Sequence, residues 1–339
     1  MQFIRRFFAI ITILIFIPLF IINIISINTK LTILNTNYIK YQFEKSDFFN
    51  SLITTGLPAF INSTMKSSTP DDVSQYQILT QGVEQTITPD FLKNNFNSLL
   101  DQINLYLLGK TNNIQQKIPL SDIKNSFDKN LSSYVSTQLD KLPTCTQNEL
   151  NQLKNNSELK CLPPGFDPNE VAKAMNNPDK NELISSLPND FELGDYLMQK
   201  YQNKFESFRR FINFYDIGIY IITAINILLL ILIALLIWKP LHLIIKWIST
   251  TLLISSATLV IFTAIGLASS AIVSSSIVVT LPNEIQNIVR GLLLTIQIPF
   301  YLNLFYINGI IILISIIGLI SSAKLEKNNS SKSQITENK

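Results

Sequence analysis

Histidine is almost missing from this chain: His242 is the only one in 339 residues, and cysteine occurs twice, at Cys145 and Cys161. Two thiols in one region and an imidazole far along the chain fall short of a zinc ligand set. No metal and no cofactor is therefore expected. Glycine is sparse as well, with ten in all. There is no Gly-rich phosphate loop and no Gly-x-Ser-x-Gly turn, which removes common nucleotide-binding and hydrolase signatures. Charge of one sign never dominates. The formal net charge is +3, and between Asn28 and Tyr215 18 basic residues stand against 20 acidic ones. Without a basic stripe, nucleic acid is not a partner. Carboxylates such as Asp71, Asp72, Asp90 and Asp101 occur, but their spacing does not bring two together as acid and base. The expectation is a protein that is not an enzyme, with no catalytic residue assigned.

Charge is wholly absent from four long apolar runs, residues 7–27, 217–237, 247–273 and 301–321. A helix needs about 20 such residues to cross a hydrocarbon layer roughly 30 Å thick. The expected fold is all-α: a membrane protein with four transmembrane helices and a large, mainly helical extracytoplasmic domain between the first two. Trp238 and Lys239 close the second run with the aromatic and basic residues typical of a membrane–water boundary. The first run follows Arg5 and Arg6. It exceeds the apolar core of about 7–15 residues in a cleaved signal peptide and lacks a small-x-small site, so an uncleaved signal anchor is expected, with Pro18 as a tolerated kink.

Residues 1–27 then hold a cytoplasmic N-terminus and the first span, and 28–215 the outer domain. Residues 216–322 form a three-helix membrane region with an inner loop at 239–246 and an outer amphipathic segment at 274–300, between whose prolines 282 and 299 a surface helix is expected. Residues 323–339 make a polar, disordered cytoplasmic tail. Arg5, Arg6, Lys239, Lys246, Lys324 and Lys327 all fall on one side of such a bundle. The positive-inside tendency makes that side the cytoplasm, with both termini inside a cell membrane.

The third run is rich in small residues. Ala264/Ala268 and Gly266/Ser270 are small-xxx-small pairs that allow close helix packing. Among polar side chains of the runs, Asn23 and Asn226 stand out, suited to hydrogen-bond to each other or to a neighbouring subunit. Ionisable groups inside spans usually mark a solute path; the runs have none.

In the polar region, Thr88 is a helix N-cap, Pro89 the first helical residue and Gly109 the closing glycine. Phe91, Leu92, Phe96, Leu99, Leu100, Ile103 and Leu107 make its apolar stripe. A second helix is expected through Ile123, Phe127, Leu131, Val135 and Leu139, and shorter ones at Thr146/Glu149 and Asp167/Glu170. Residues 114–120 are the one strand candidate. A helix from Tyr196 to Phe214 should run unbroken into the second span. Cys145 and Cys161, with fifteen intervening residues in a Pro-bounded, turn-rich setting, read as one local disulfide worth about 3 kcal/mol in the chain-entropy picture. Two free buried thiols are the alternative.

Three stretches, TPDFLKNNFNSLLDQINLYLLGKT (88–111), LPTCTQNEL (142–150) and CLPPG (161–165), resemble a family of uncharacterised bacterial multi-pass membrane proteins. The resemblance implies a membrane-tethered helical domain carrying a disulfide, and brings no activity or ligand with it. The expected role is a non-enzymatic anchor presenting an extracytoplasmic interaction or scaffold domain. Its partners would be the lipid bilayer and other membrane or envelope proteins, with a homo-oligomer possible. The alternative is a subunit of a small-molecule transporter or channel.

Overall fold

A computed structural model describes residues 2–59, 87–121, 136, 139–146, 161–167, 188–238, 240–278 and 283–337. The chain is mostly helical, and four of its helices are long and apolar enough to cross a membrane. In chain order the described elements are α1 (Gln2–Leu31), α2 (Thr36–Lys45), α3 (Phe48–Ser51) and a π-turn (Leu52–Gly56). Then come α4 (Pro89–Leu107), β1 (Ile118–Pro119), β2 (Asp190–Phe191), α5 (Leu193–Ile237), α6 (Leu241–Ile277) and α7 (Asn283–Glu337). Large apolar side chains face outward along all four long helices, for example Leu14, Leu228, Ile261 and Leu313, each about three-fifths exposed. Water would penalise that much contiguous apolar surface; hydrocarbon does not.

Contacts divide the chain into two units. The first holds Met1–Ser46, Glu206–Thr280 and Val289–Lys339, and so contains the apolar parts of the four long helices. Within it α1 continues to Leu31 and α2 is tied to α7. The Tyr38 hydroxyl of α2 donates to the Ile296 carbonyl at 3.0 Å. Burial raises the Tyr38 phenol above its ordinary pKa, which keeps it a donor.

Three boundaries in this unit differ from expectation. The helix expected to stop at Pro299 does not: α7 passes through it. Pro299 removes the donor that would meet the Thr295 carbonyl one turn back, a loss that membrane helices tolerate; the Tyr38 hydroxyl bonds the next carbonyl along, that of Ile296. Residues 283–298 are therefore part of one helix with the fourth apolar run. The tail expected to be disordered is helical to Glu337, since extending a formed helix costs no new nucleation. The inner loop is also shorter than 239–246. Trp238 adopts φ 43 and ends α5, and α6 begins at Leu241 after Pro240, a residue that suits a helix start.

The second unit holds Asp47–Phe205 and Leu281–Ile288. Here the Thr88 hydroxyl accepts the Phe91 N–H at 3.2 Å, Pro89 opens α4, and Gly109 takes φ 72 beyond its end. Each device stands where the residues put it. The strand candidate contributes β1, which pairs antiparallel with β2 through Ile118–Phe191 and Pro119–Asp190. Phe49 and Phe96 meet edge to face at 5.5 Å, joining α3 to α4. Tyr106 packs on Phe205 at 6.2 Å. α5 has no break between its polar start and its apolar end, over 45 residues. The expected helix through Ile123–Leu139 and those at Thr146/Glu149 and Asp167/Glu170 lie largely outside the described residues, as does Lys239.

Candidate functional site: a polar layer in the helix bundle

α1 is bonded to α5 by a ladder whose numbers rise on one side as they fall on the other. Lys30 pairs with Asp216 at 2.9 Å and lies over the Tyr220 ring at 5.4 Å. The Tyr215 hydroxyl donates to the Ser26 carbonyl at 2.8 Å, and the Thr223 hydroxyl to Asn23 Oδ1 at 3.0 Å. Asn226 Nδ2 reaches the Leu19 carbonyl at 3.3 Å and the Ile222 carbonyl at 3.0 Å. The helices are thus antiparallel, charged at one end of the seam and uncharged along the rest. Asn23 and Asn226 are both buried on it. They bond across the seam to Thr223 and Leu19 rather than to one another, because antiparallel packing sets them one turn apart. Such bonds between membrane helices average about 0.6 kcal/mol each.

α1 also meets α7. Asn28, wholly buried, donates from Nδ2 to the Phe300 carbonyl at 3.1 Å and accepts from Asn303 Nδ2. α6 and α7 pack through their small residues. A Cβ built on Gly266 would clash with the Tyr301 ring at Cε1, and one on Gly318 would strike Ser249. The Ser322 hydroxyl donates to the His242 carbonyl at 2.7 Å. Gly266 is therefore a close-approach point, and Ser270 is buried beside it with its hydroxyl on the Leu267 carbonyl. Ala264 and Ala268 differ: both are exposed on the opposite face. The two small pairs are offset by two residues, about 200° around a helix, so they cannot share one interface.

Reading the runs for charge alone misses Asn303 and Asn308 in the fourth run, and Asn28 just past the first. The signal was available, since two amides five residues apart in an otherwise apolar run stand out by their desolvation cost. Asn308 is 0 % exposed, and among the described residues neither its Nδ2 nor its Oδ1 has a hydrogen-bond partner; Ser256 Oγ, also 0 % exposed, and Asn226 Oδ1 lack one there too. The constant α6–α7 register through Gly266/Tyr301 and Ser249/Gly318 sets Asn308 level with Leu259, and Ser256 within about 4.5 Å along the axis. Stepping along α7 from the Asn28–Asn303 bond brings Asn308 about level with Asn23. Uncharged polar groups of all four long helices thus lie at similar heights along the bundle axis.

In the second unit, Cys145 and Cys161 form a disulfide, with a backbone bridge beside it as Cys145 N–H donates to the Leu162 carbonyl at 2.8 Å. The Ser98 hydroxyl donates to Gln116 Oε1 at 2.6 Å, anchoring α4 to the chain just before β1. Lys117 Nζ lies 2.7 Å from Glu192 Oε1. This ammonium holds the Glu192 carboxyl below the usual carboxylate range, and the carboxylate raises Lys117 in turn. A lowered acid contributes stability above its unfolded value of about 4.3, lost as pH falls through the lower folded one; a raised lysine contributes below about 10.4, lost as pH rises through its folded one. The bridge therefore acts between roughly pH 5 and 10, and salt screens it because both groups are exposed. Protease resistance at β1–β2, followed at low salt from pH 6 to pH 3, should fall in the parent and fall less in Glu192→Gln. An unchanged acid limb in the variant would assign the effect elsewhere.

Among the described residues no group of three or more His, Cys, Asp and Glu is placed to hold a metal ion. Compared with protein-family models, curated proteins and solved structures, the chain matches none of them.

Proposed function

We propose that this is a non-enzymatic multi-pass membrane protein whose residues 28–215 lie outside the cytoplasm as an interaction or scaffold domain for other membrane or envelope proteins, with both termini inside. The observation that carries this reading is a bundle of four apolar helices, tied to one another by uncharged groups of a single chain. Such a bundle needs no ligand to hold it together, and a long polar insertion between its first two helices is what it presents. Orientation rests on Arg5, Arg6, Lys246, Lys324 and Lys327. The likeness to bacterial multi-pass proteins in residues 88–111, 142–150 and 161–165 agrees with an oxidising compartment for the Cys145–Cys161 bridge.

The second reading, a subunit of a transporter or channel, is favoured by one observation: Asn308, Ser256 and Asn226 keep unpartnered polar atoms inside the bundle. Liposomes carrying the purified protein separate the two readings. A scaffold leaves the passage of water, glycerol and monovalent ions at the rate of empty liposomes; faster passage of any of them favours the second. In intact cells, a reporter fused at Asn130 should be active only outside the cytoplasm, and crosslinks from residues 28–215 should reach envelope proteins. A cytoplasmic signal at Asn130 would overturn the orientation and the proposed role with it.

A further inference from the structure

Wholly buried polar atoms without partners are uncommon, and those found in native proteins usually bond to ordered water. We propose that the layer containing Asn308, Ser256 and Asn226 is an internal hydration site, holding water within the membrane bundle. The unpartnered groups are of both kinds. Asn308 Nδ2 donates, Asn308 Oδ1 and Asn226 Oδ1 accept, and Ser256 Oγ can do either. Water, which donates two hydrogen bonds and accepts two, satisfies such a mixed set; a group that only donates or only accepts does not.

The charge pattern selects against an ion. No Asp, Glu, Lys or Arg lies in the four apolar runs, so a cation or anion would sit in a low-dielectric interior without a counter-charge. The surroundings also confine the water. Ile233, two turns along α5 from Asn226, is wholly buried and closes the layer on one side with apolar packing, whereas the almost wholly buried Leu259, level with Asn308 on α6, lies within it. The site is independent of transport: a scaffold can hold buried water as well as a channel can.

Radiolytic footprinting of the full-length protein in lipid nanodiscs, in water enriched in oxygen-18, tests this directly. Hydroxyl radicals arise where water lies and oxidise the side chains beside it. Leu259 should gain the heavy oxygen about fivefold or more faster than Ile233, an equally buried side chain outside the layer, as expected for a residue beside bound water. Equal rates at the two positions would overturn the proposal. Asn308→Leu should remove most of the excess at Leu259; Ser256→Ala, a smaller change, serves the same purpose if the first variant fails to assemble. Excess labelling that survives in every folded variant would also overturn it. Replacing sodium chloride by N-methylglucamine chloride should leave the rate unchanged. A sodium-dependent rate would identify an ion site in place of the neutral one.

Discussion

Replacing Gly194 by alanine should open the junction where β1, β2 and the start of α5 meet. A Cβ at this position would fall on the Ile114 carbonyl and within 2.7 Å of the Gln116 N–H. Both are backbone atoms, so no side-chain rotation relieves the clash. The close approach exists because Gly194 N–H donates to the Gln116 carbonyl at 2.8 Å, while Lys117 next door reaches Glu192. Overpacking at an unyielding contact costs about 3 kcal/mol, roughly a hundredfold in the local opening equilibrium. Hydrogen exchange at the amides of Ile118 and Leu120, the latter bonded to the Asn189 carbonyl at 2.7 Å, should accelerate by that factor in the full-length protein. Gly218→Ala is the control. Nothing lies within 4 Å of a Cβ there, and alanine favours a helix by about 0.8–1 kcal/mol over glycine. Exchange as slow in Gly194→Ala as in the parent would show that the backbones can separate without cost.

The second large effect is expected at Gly266. Leucine there must displace the Tyr301 ring, because the first added carbon already overlaps it. The expected loss is about 3 kcal/mol of bundle stability, seen as a lower thermal midpoint in nanodiscs. Tyr301→Ala should restore part of it, because the cavity left by the ring receives the leucine. The coupling between the two changes should be about 2 kcal/mol, the scale for residues in direct contact. Leucine at Ala264 or Ala268, both outward-facing, should change the midpoint little in lipid. A Gly266→Leu variant as stable as the parent, or one that Tyr301→Ala does not improve, would contradict the α6–α7 register on which the polar layer depends.

How far each element was legible follows from the range of its causes. Thr88, Pro89 and Gly109 act on the backbone within a few residues, so the start and end of α4 are visible without any partner. Charge-free runs of about 20 residues report their solvent for the same local reason: length and hydropathy suffice. The Cys145–Cys161 bridge spans a short loop, within reach of spacing arguments. Pro299 shows the opposite case. Its local effect is to break a helix, yet α7 continues through it, and the Tyr38 hydroxyl, more than 250 residues away in sequence, bonds to the Ile296 carbonyl nearby. Likewise the small residues of α6 could be recognised, yet which pair packs and which faces outward depends on where Tyr301 lies.

By itself the order of residues determined that this is a mostly helical chain with four charge-free runs long enough to cross a membrane, because hydropathy, capping and proline chemistry act over a few residues. Only the tertiary structure decided which polar groups meet: Asn23 with Thr223, Asn226 with Leu19, Asn28 with Asn303, and Asn308 with no partner among the described residues. Periodicity shows that a side chain faces a neighbour; the register of one helix against another, set by close contacts such as Gly266 on Tyr301, decides which neighbour it finds.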